Sequence, residues 1–341
     1  MTQTTYDLKN LNLSAGTYAI TVVAEAEGYM DSDASNAVNY TAAAPIPTDC
    51  ILFAGETSDF TLKATNKSWD GTVEYSTDKN TWSTWDGSEI PSANKKLYLR
   101  GKNNTKFYTS NGVQFVLSEK AGCYGNINTL LDYENPPTTI ATTYCYREMF
   151  KGCTRLTSAP ELPATTLKYR CYMSMFQGCT SLTTAPELPA TTLEQGCYRE
   201  MFASCTSLTT APELPATTLI AYCYQSMFYG CTSLTTTPAL PATTLKSSCY
   251  NSMFQGCTSL TTAPELPATT LANYCYQSMF FLCTGLKISA TQTGEYTTAW
   301  RIPSTGEIAA EATSWNDAML AATGGTFTAN PSINTTYYIA G

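Results

Sequence analysis

The sequence predicts a repeat solenoid, with one short helix and one short strand per 26-residue unit, preceded by β-sandwich-like modules. Three observations predict it. The pattern Cys-Tyr-x-x-Met-Phe-x-x-Cys recurs six times without insertion from Cys145 to Cys283. Its first cysteine falls at Cys145, Cys171, Cys197, Cys223, Cys249 and Cys275, and its second at Cys153, Cys179, Cys205, Cys231, Cys257 and Cys283. Ahead of the repeats, apolar and polar residues alternate in short runs, as in half-buried strands. A unit this short cannot bury its apolar face alone, so stacked neighbours must share one continuous core.

Taken in order, residues 1–44 carry strands such as Gly16-Thr17-Tyr18-Ala19-Ile20 and Ala37-Val38-Asn39-Tyr40-Thr41. The stretch resembles the last three strands of a fibronectin type III or immunoglobulin-like domain. Three strands with an uncovered face are marginally stable. The segment is expected to pack on the next module, to pair with another chain, or to be what remains of a longer domain. The link Ala44-Pro45-Ile46-Pro47 leads into 45–121. There Val73 to Trp82 reads as strand, turn, strand, and Lys96 to Gly101 and Gly112 to Leu117 add further strands, which predicts a second small β-sandwich. Residues 122–286 hold the repeats with an N-terminal cap beginning at Cys123-Tyr124-Gly125, and 287–341 read as a degenerate, cysteine-free final copy that caps the other end.

Within a unit, Cys171, Tyr172, Met175, Phe176 and Cys179 follow the spacing i, i+1, i+4, i+5, i+8, a helical stripe about two turns long. Such a helix needs packing to persist, and Gly152, Gly178, Gly230 and Gly256 stand where it would end. The following Thr-rich segment, with Pro186 and Pro189, forbids helix and favours strand and turn. Leu182, Leu188 and Leu193 are expected to face inward. The run Met-Phe-x-Gly-Cys-Thr-Ser-Leu followed by Leu-Pro resembles the BspA-like leucine-rich repeats of bacterial surface proteins, over residues 123–286. The family unit is nearer 23 residues, and Pro-Ala-Thr-Thr-Leu here replaces its usual segment after the proline. The resemblance implies a leucine-rich-repeat fold. It further implies a bacterial surface protein or a tail or head-fibre component of a phage infecting such bacteria.

Chemistry is narrowed by what the chain lacks. It contains no histidine, which removes Ser-His-Asp and Cys-His catalysis and every His-containing metal site. There is no close Cys-x-x-Cys pair for a cysteine-only zinc site and no phosphate-binding glycine motif. The expectation is no enzymatic activity, no metal and no cofactor. Net charge is −8 and the pI is near 4.7. The repeats from 145 to 286 balance seven basic against seven acidic residues, and 1–144 carry ten against sixteen. Without a basic cluster nucleic acid is not an expected partner, and no apolar run is long enough for membrane insertion. The N-terminus MTQTTYDLKN has no signal-peptide character, so secretion by that route is not expected of this chain. Paired cysteines of one unit would lie about 12 Å apart on a helix, beyond the roughly 7 Å a disulfide bridges. Buried free thiols are therefore expected, with cross-unit pairs as the alternative.

Candidate sites follow from the surface columns. The segment before each first cysteine is the most variable, and with the predicted helix it offers Tyr169, Tyr222, Tyr274, Tyr229 and Phe281 as stacking faces for a sugar or a protein. Unconstrained variation explains the same residues. Glu161, Glu187, Glu213 and Glu265 share one offset and form a carboxylate ladder. It reads first as a solvated face, with calcium as the sharper alternative. Threonine columns such as Thr183-Thr184 read as ordinary β-propensity, and Trp69, Trp82 and Trp85 as core or as a second sugar platform. The function expected is non-enzymatic binding or adhesion, extracellular, on a bacterial surface or a virion. The partner expected is a bacterial surface glycan or protein, and further copies of the chain or virion proteins are other contacts. The competing reading is a structural spacer without a ligand.

Overall fold

The computed structural model describes residues 46–283 apart from 68, 109–111, 262, 263, 265, 267 and 269–271, and four short strands outside that range. The chain divides into two compact units, Met1–Pro47 and Thr48–Gly341. In the first, β1 (Gly16–Ile20) and β2 (Val38–Ala42) pair antiparallel with Gly16 opposite Ala42.

The second unit begins with two sheets. Strands β3 (Ile51–Gly55), β4 (Thr61–Ala64), β5 (Thr72–Ser76), β6 (Ser83–Thr84), β7 (Ile90–Pro91), β8 (Lys96–Lys102), β9 (Phe115–Leu117), β10 (Ala121–Tyr124) and β11 (Leu156–Ser158) form them. One sheet has the order β11-β10-β3-β8-β5-β6 and the other β7-β4-β9. Alternation sets their faces: in β8, Leu97, Leu99 and Gly101 are buried while Lys96, Tyr98 and Arg100 face outward. The turn after β5 is fixed by Asp78, whose Oδ1 accepts from the Asn80 and Thr81 amides at 2.8 Å each and from Ser76 Oγ at 2.8 Å. Between the sheets Phe53 meets Phe115 edge to face at 6.3 Å, and Trp69 stacks on Trp85 at 5.3 Å. Trp82 instead lies over the Arg100 guanidinium, 4.0 Å from its ring centre. Strands β12 (Gly306–Glu307) and β13 (Thr328–Ala329) pair antiparallel.

This is not the expected leucine-rich-repeat solenoid of helix plus strand. Among the described residues no α-helix occurs; the helical turn present is the 3-10 turn Ile127–Leu130, capped by Asn126. Nor does each unit contribute a strand: among the described residues the first alone holds one, β11, and later units touch through isolated bridges such as Thr166 with Thr192 and Thr184 with Thr210. The six-stranded sheet is likewise not a free-standing sandwich, because β10 pairs antiparallel with β3 on one side and parallel with β11 of the first repeat on the other.

The backbone amides explain what replaces the helix. In the unit from Cys171 to Cys179, the amides of 171, 173, 175, 177 and 179 donate to the carbonyls three residues back, at 3.0–3.3 Å. The amides between them, Tyr172, Ser174, Phe176 and Gly178, donate instead to Cys197, Arg199, Met201 and Ala203 of the next unit, at 2.8–3.0 Å. Every fourth residue turns the chain back with positive φ: Arg170 (52°), Ser174 (54°) and Gly178 (74°). The result is a run of overlapping β-turns with a period of four. A helix would spend its amides inside the unit; here half of them join neighbours, at about 1 kcal/mol net each. Those bonds offset the roughly 1–2 kcal/mol that a left-handed conformation costs a residue with a side chain.

Stacked units place equal residues over one another. Tyr172 lies 5.9 Å from Tyr198 and Phe176 5.6 Å from Phe202, with ring planes 11° and 5° apart. Cys179, Cys205, Cys231, Cys257 and Cys283 each donate Sγ–H to the phenylalanine carbonyl 29 residues earlier, at 2.9–3.1 Å. Leu182, Leu188 and Leu193 are buried as expected. The stack starts on the sheets: Phe107 stacks on Tyr146 at 5.9 Å, Phe115 meets Phe150 at 5.5 Å, and the Phe107 and Phe115 amides donate to Cys145 O and Met149 O.

Candidate functional site

All fourteen cysteines are free and buried. Burial pushes the Cys145 and Cys205 thiols up to about 12, and the Cys179 and Cys223 thiols well above their ordinary range. A thiol that stays protonated is no nucleophile, so these residues belong to the core. The tyrosine column is similarly inert, with Tyr146, Tyr172 and Tyr198 raised well above their ordinary value by burial.

Chemistry open to a ligand lies on the outer columns. The five aromatic candidates fall on three of them. Tyr222 and Tyr274 occupy the positive-φ position before the first cysteine, two units apart; Tyr274 is half exposed. Tyr229, 43% exposed, and Phe281, partly buried against the core, sit on the turn before the second cysteine, again two units apart. Tyr169 stands on a third column and has close company. Its ring meets Tyr144 edge to face at 5.3 Å, and the Arg170 guanidinium lies 4.8 Å from its centre.

That company extends across the junction with the sheets. Tyr144 stacks on Tyr108 at 5.2 Å. Arg147 spans both, 4.9 Å from the Tyr108 ring and 5.6 Å from that of Tyr144, and its Nη1 donates to Tyr108 Oη at 3.0 Å. Glu148 pairs with Arg147 at 3.4 Å and with Lys151 at 3.3 Å. The turn geometry accompanies this: Tyr144 and Glu148 both take positive φ, so the chain reverses around Arg147, whose side chain lies against Tyr108. Sequence reasoning found Tyr169 alone. Neither Tyr144, just before Cys145, nor Arg147, just after it, was singled out, and nothing in the sequence joins Tyr108, which precedes the repeats, to them.

Glu161 and Glu187 of the carboxylate ladder line one cavity of about 450 Å³ with Pro160, Leu162, Pro163, Pro186 and Pro189. Glu213 is exposed one unit further on, and Glu265 lies outside the described residues. Among the described residues no group of three or more Cys, Asp or Glu is placed to hold a metal ion, and no helix is long and apolar enough to cross a membrane.

A scan against protein-family models and searches of curated proteins and of solved structures gave no match. The site is therefore read from its own geometry.

Proposed function

We propose that this chain is a non-enzymatic binding protein, displayed at a bacterial surface or on a virion, that uses the outer columns of its stacked units to engage a glycan or a protein. The observation that carries the reading is the cluster of Tyr108, Tyr144 and Tyr169 with Arg147 and Arg170. Aromatic faces and guanidinium groups of this kind are enriched where proteins recognise partners. The location rests on the resemblance to bacterial surface repeats. The absence of histidine and the burial of every thiol support a role without catalysis.

The test is saturable binding of the full chain to bacterial cells and to an array of surface glycans. The full chain is the right reagent because Phe107 and Phe115 of the sheet module pack directly on the first repeat. Saturable binding that Tyr169→Ala weakens is the expected result. A second reading, a spacer without a ligand, is favoured by the repetition of one core in every unit, and absence of binding to any cell or glycan would leave it standing.

A further inference from the structure

We infer that the Tyr108–Tyr144–Tyr169 cluster is a binding site for an acidic saccharide, one whose pyranose ring stacks on tyrosine while its carboxylate pairs with arginine. The inference rests on the binding role proposed above and narrows it to a place and a ligand class.

Three features point there. The first is charge. The protein carries a net −8, yet here Arg147 and Lys151 share the one carboxylate of Glu148, and Arg170 stands on the neighbouring Tyr169 ring. That carboxylate already pairs with Arg147 and Lys151, and Arg170 makes no ion pair among the described residues. A guanidinium laid on an aromatic ring with its donors unspent presents a planar fork that fits a carboxylate.

The second is a half-buried cation. Arg147 is held by Tyr108 Oη and Glu148, and its Nε is buried without a hydrogen-bond partner among the described residues. That donor is sealed from solvent, so Arg147 offers a ligand its positive charge and its outer nitrogens rather than its Nε–H. With the Arg147 side chain only 21% exposed, its attraction for an anion is screened less than that of a free surface charge.

The third is that the patch does not recur. At the offset of Arg147 the later units carry Met173, Arg199, Gln225, Asn251 and Gln277. Of these Arg199 is neutralised by Glu200 at 2.9 Å, and Gln225, Asn251 and Gln277 bond to one another at 3.3 and 2.9 Å. At the offset of Arg170 stand Gly196, Tyr222, Ser248 and Tyr274. Tyr108 belongs to the sheet module and has no counterpart in the stack. Among the described residues the junction alone sets two arginines against three tyrosine rings; Tyr108 and Tyr144 stack on each other, which leaves the half-buried Tyr169 ring to meet the C–H face of a sugar. An anion without an apolar face would use the arginines and leave the rings idle; a neutral sugar would do the reverse.

The experiment is calorimetric titration of the full chain with an oligosaccharide of uronic acid residues, with its carboxyl-reduced neutral counterpart, and with a sulfated oligosaccharide of equal length. The uronate is expected to bind saturably, with the reduced form about tenfold weaker, as loss of a charge-assisted pair implies. Arg170→Gln is expected to weaken the uronate about tenfold and Tyr169→Ala about fivefold, whereas Tyr169→Phe keeps the ring and binds as the parent does. Unchanged melting temperatures of the variants show that the loss is one of binding. Equal affinity for the reduced oligosaccharide, preference for the sulfated one, or indifference to both substitutions would each overturn the inference. If the chain binds cells but no saccharide, the inference fails and the binding role stands; if it binds neither, both fail.

Discussion

Gly101 of β8 and Gly178 of the second repeat answer to different constraints. A Cβ at Gly101 would overlap the Leu130 carbonyl oxygen and stand 2.7 Å from Asn104 Nδ2, so the position is glycine because another backbone occupies the space. A Cβ at Gly178 would meet nothing nearer than 3.6 Å, and the position is glycine because φ is +74°. The same contrast runs through the two regions. In the sheets each contact is made once, by a residue chosen for that place: Asn104 Nδ2 bridges Thr72 O and Leu130 O, and its Oδ1 takes the Gly71 amide. In the stack one set of turns, rings and thiols is used at every level. Damage should therefore be local and severe in the sheets, and distributed and mild in the stack.

The largest effect that could break this contrast is a shift of register. Excision of 26 residues, Tyr198–Cys223, joins Cys197 to Tyr224 and restores every column; the protein is expected to fold and to melt a few degrees lower. Removing 25, Tyr198–Tyr222, puts each turn amide where an inter-unit amide belongs, and cooperative folding should be lost. Circular dichroism melts of the two proteins decide it, and equal behaviour would refute the alternating amide scheme.

Substitution of the two glycines comes next. Gly101→Ala should cost more than about 4 kcal/mol or prevent folding, while Gly178→Ala should cost about 1 kcal/mol, the penalty of the dihedral angle alone. The converse change, Ser204→Gly at the same offset with φ +61°, should stabilise by about the same amount. Chemical denaturation of the three variants measures all of these, and similar costs at 101 and 178 would contradict the distinction.

Titration at the acid end belongs to the region before the repeats, whereas the alkaline end is shared, since burial raises Cys50 and Cys123 of the sheets as it raises the thiols of the stack. Hydrogen bonds from the Thr81 amide, the Asn80 amide and Ser76 hold Asp78 down at about 2 against an ordinary 3.8. Its stabilisation of the sheet module is complete above that ordinary value and is lost as pH falls through the folded one. Thiols of the stack, such as Cys145 and Cys205, are raised by burial from 9.0 to about 12. Their contribution is complete below pH 9 and is lost as pH rises towards 12. Melting temperature against pH should fall at both ends, and Asp78→Asn should remove part of the acid fall only; a change in the alkaline arm would show that the two regions are not titrating independently.

The smallest effect distinguishes the first tyrosine of the column from the second. Tyr146 Oη bonds to Ile127 O and Asn128 Oδ1 at 3.2 and 3.0 Å, whereas Tyr172 Oη is buried without a partner among the described residues. Tyr146→Phe should cost about 1–2 kcal/mol and Tyr172→Phe nothing, or should stabilise slightly. Equal costs in denaturant melts would place an acceptor beside Tyr172.

What could be read from the residues was the periodicity and its core. Leu182, Leu188 and Leu193 face inward, as their spacing implies, and the aromatic and cysteine columns lie where a 26-residue period puts them. What could not be read was the path between them. Apolar residues at 171, 172, 175, 176 and 179 satisfy a helix of 3.6 residues per turn and a turn series of four equally well, because nine residues are too few for the two periods to part company. Composition does not break the tie. Of the positive-φ positions between Tyr144 and Leu282, five are glycine and the other thirteen carry side chains, among them Tyr144, Glu148, Arg170 and Leu282. Tyr169, half-buried in the structure, was legible as an outer-column aromatic; its partner Tyr108 was not, because the pairing of Phe107 and Phe115 with the first repeat is what brings that segment alongside.

The alternating amides also have a mechanical meaning. Tension applied along the stack would be carried by the same few outward-directed bonds at every junction, with no junction stronger by design than the next. Yielding would then proceed one unit at a time, each step paying out 26 residues, or about 90 Å of extended chain, while the units still stacked kept their full strength. A tether of that kind absorbs work in many equal portions where a single sheet would give way at once.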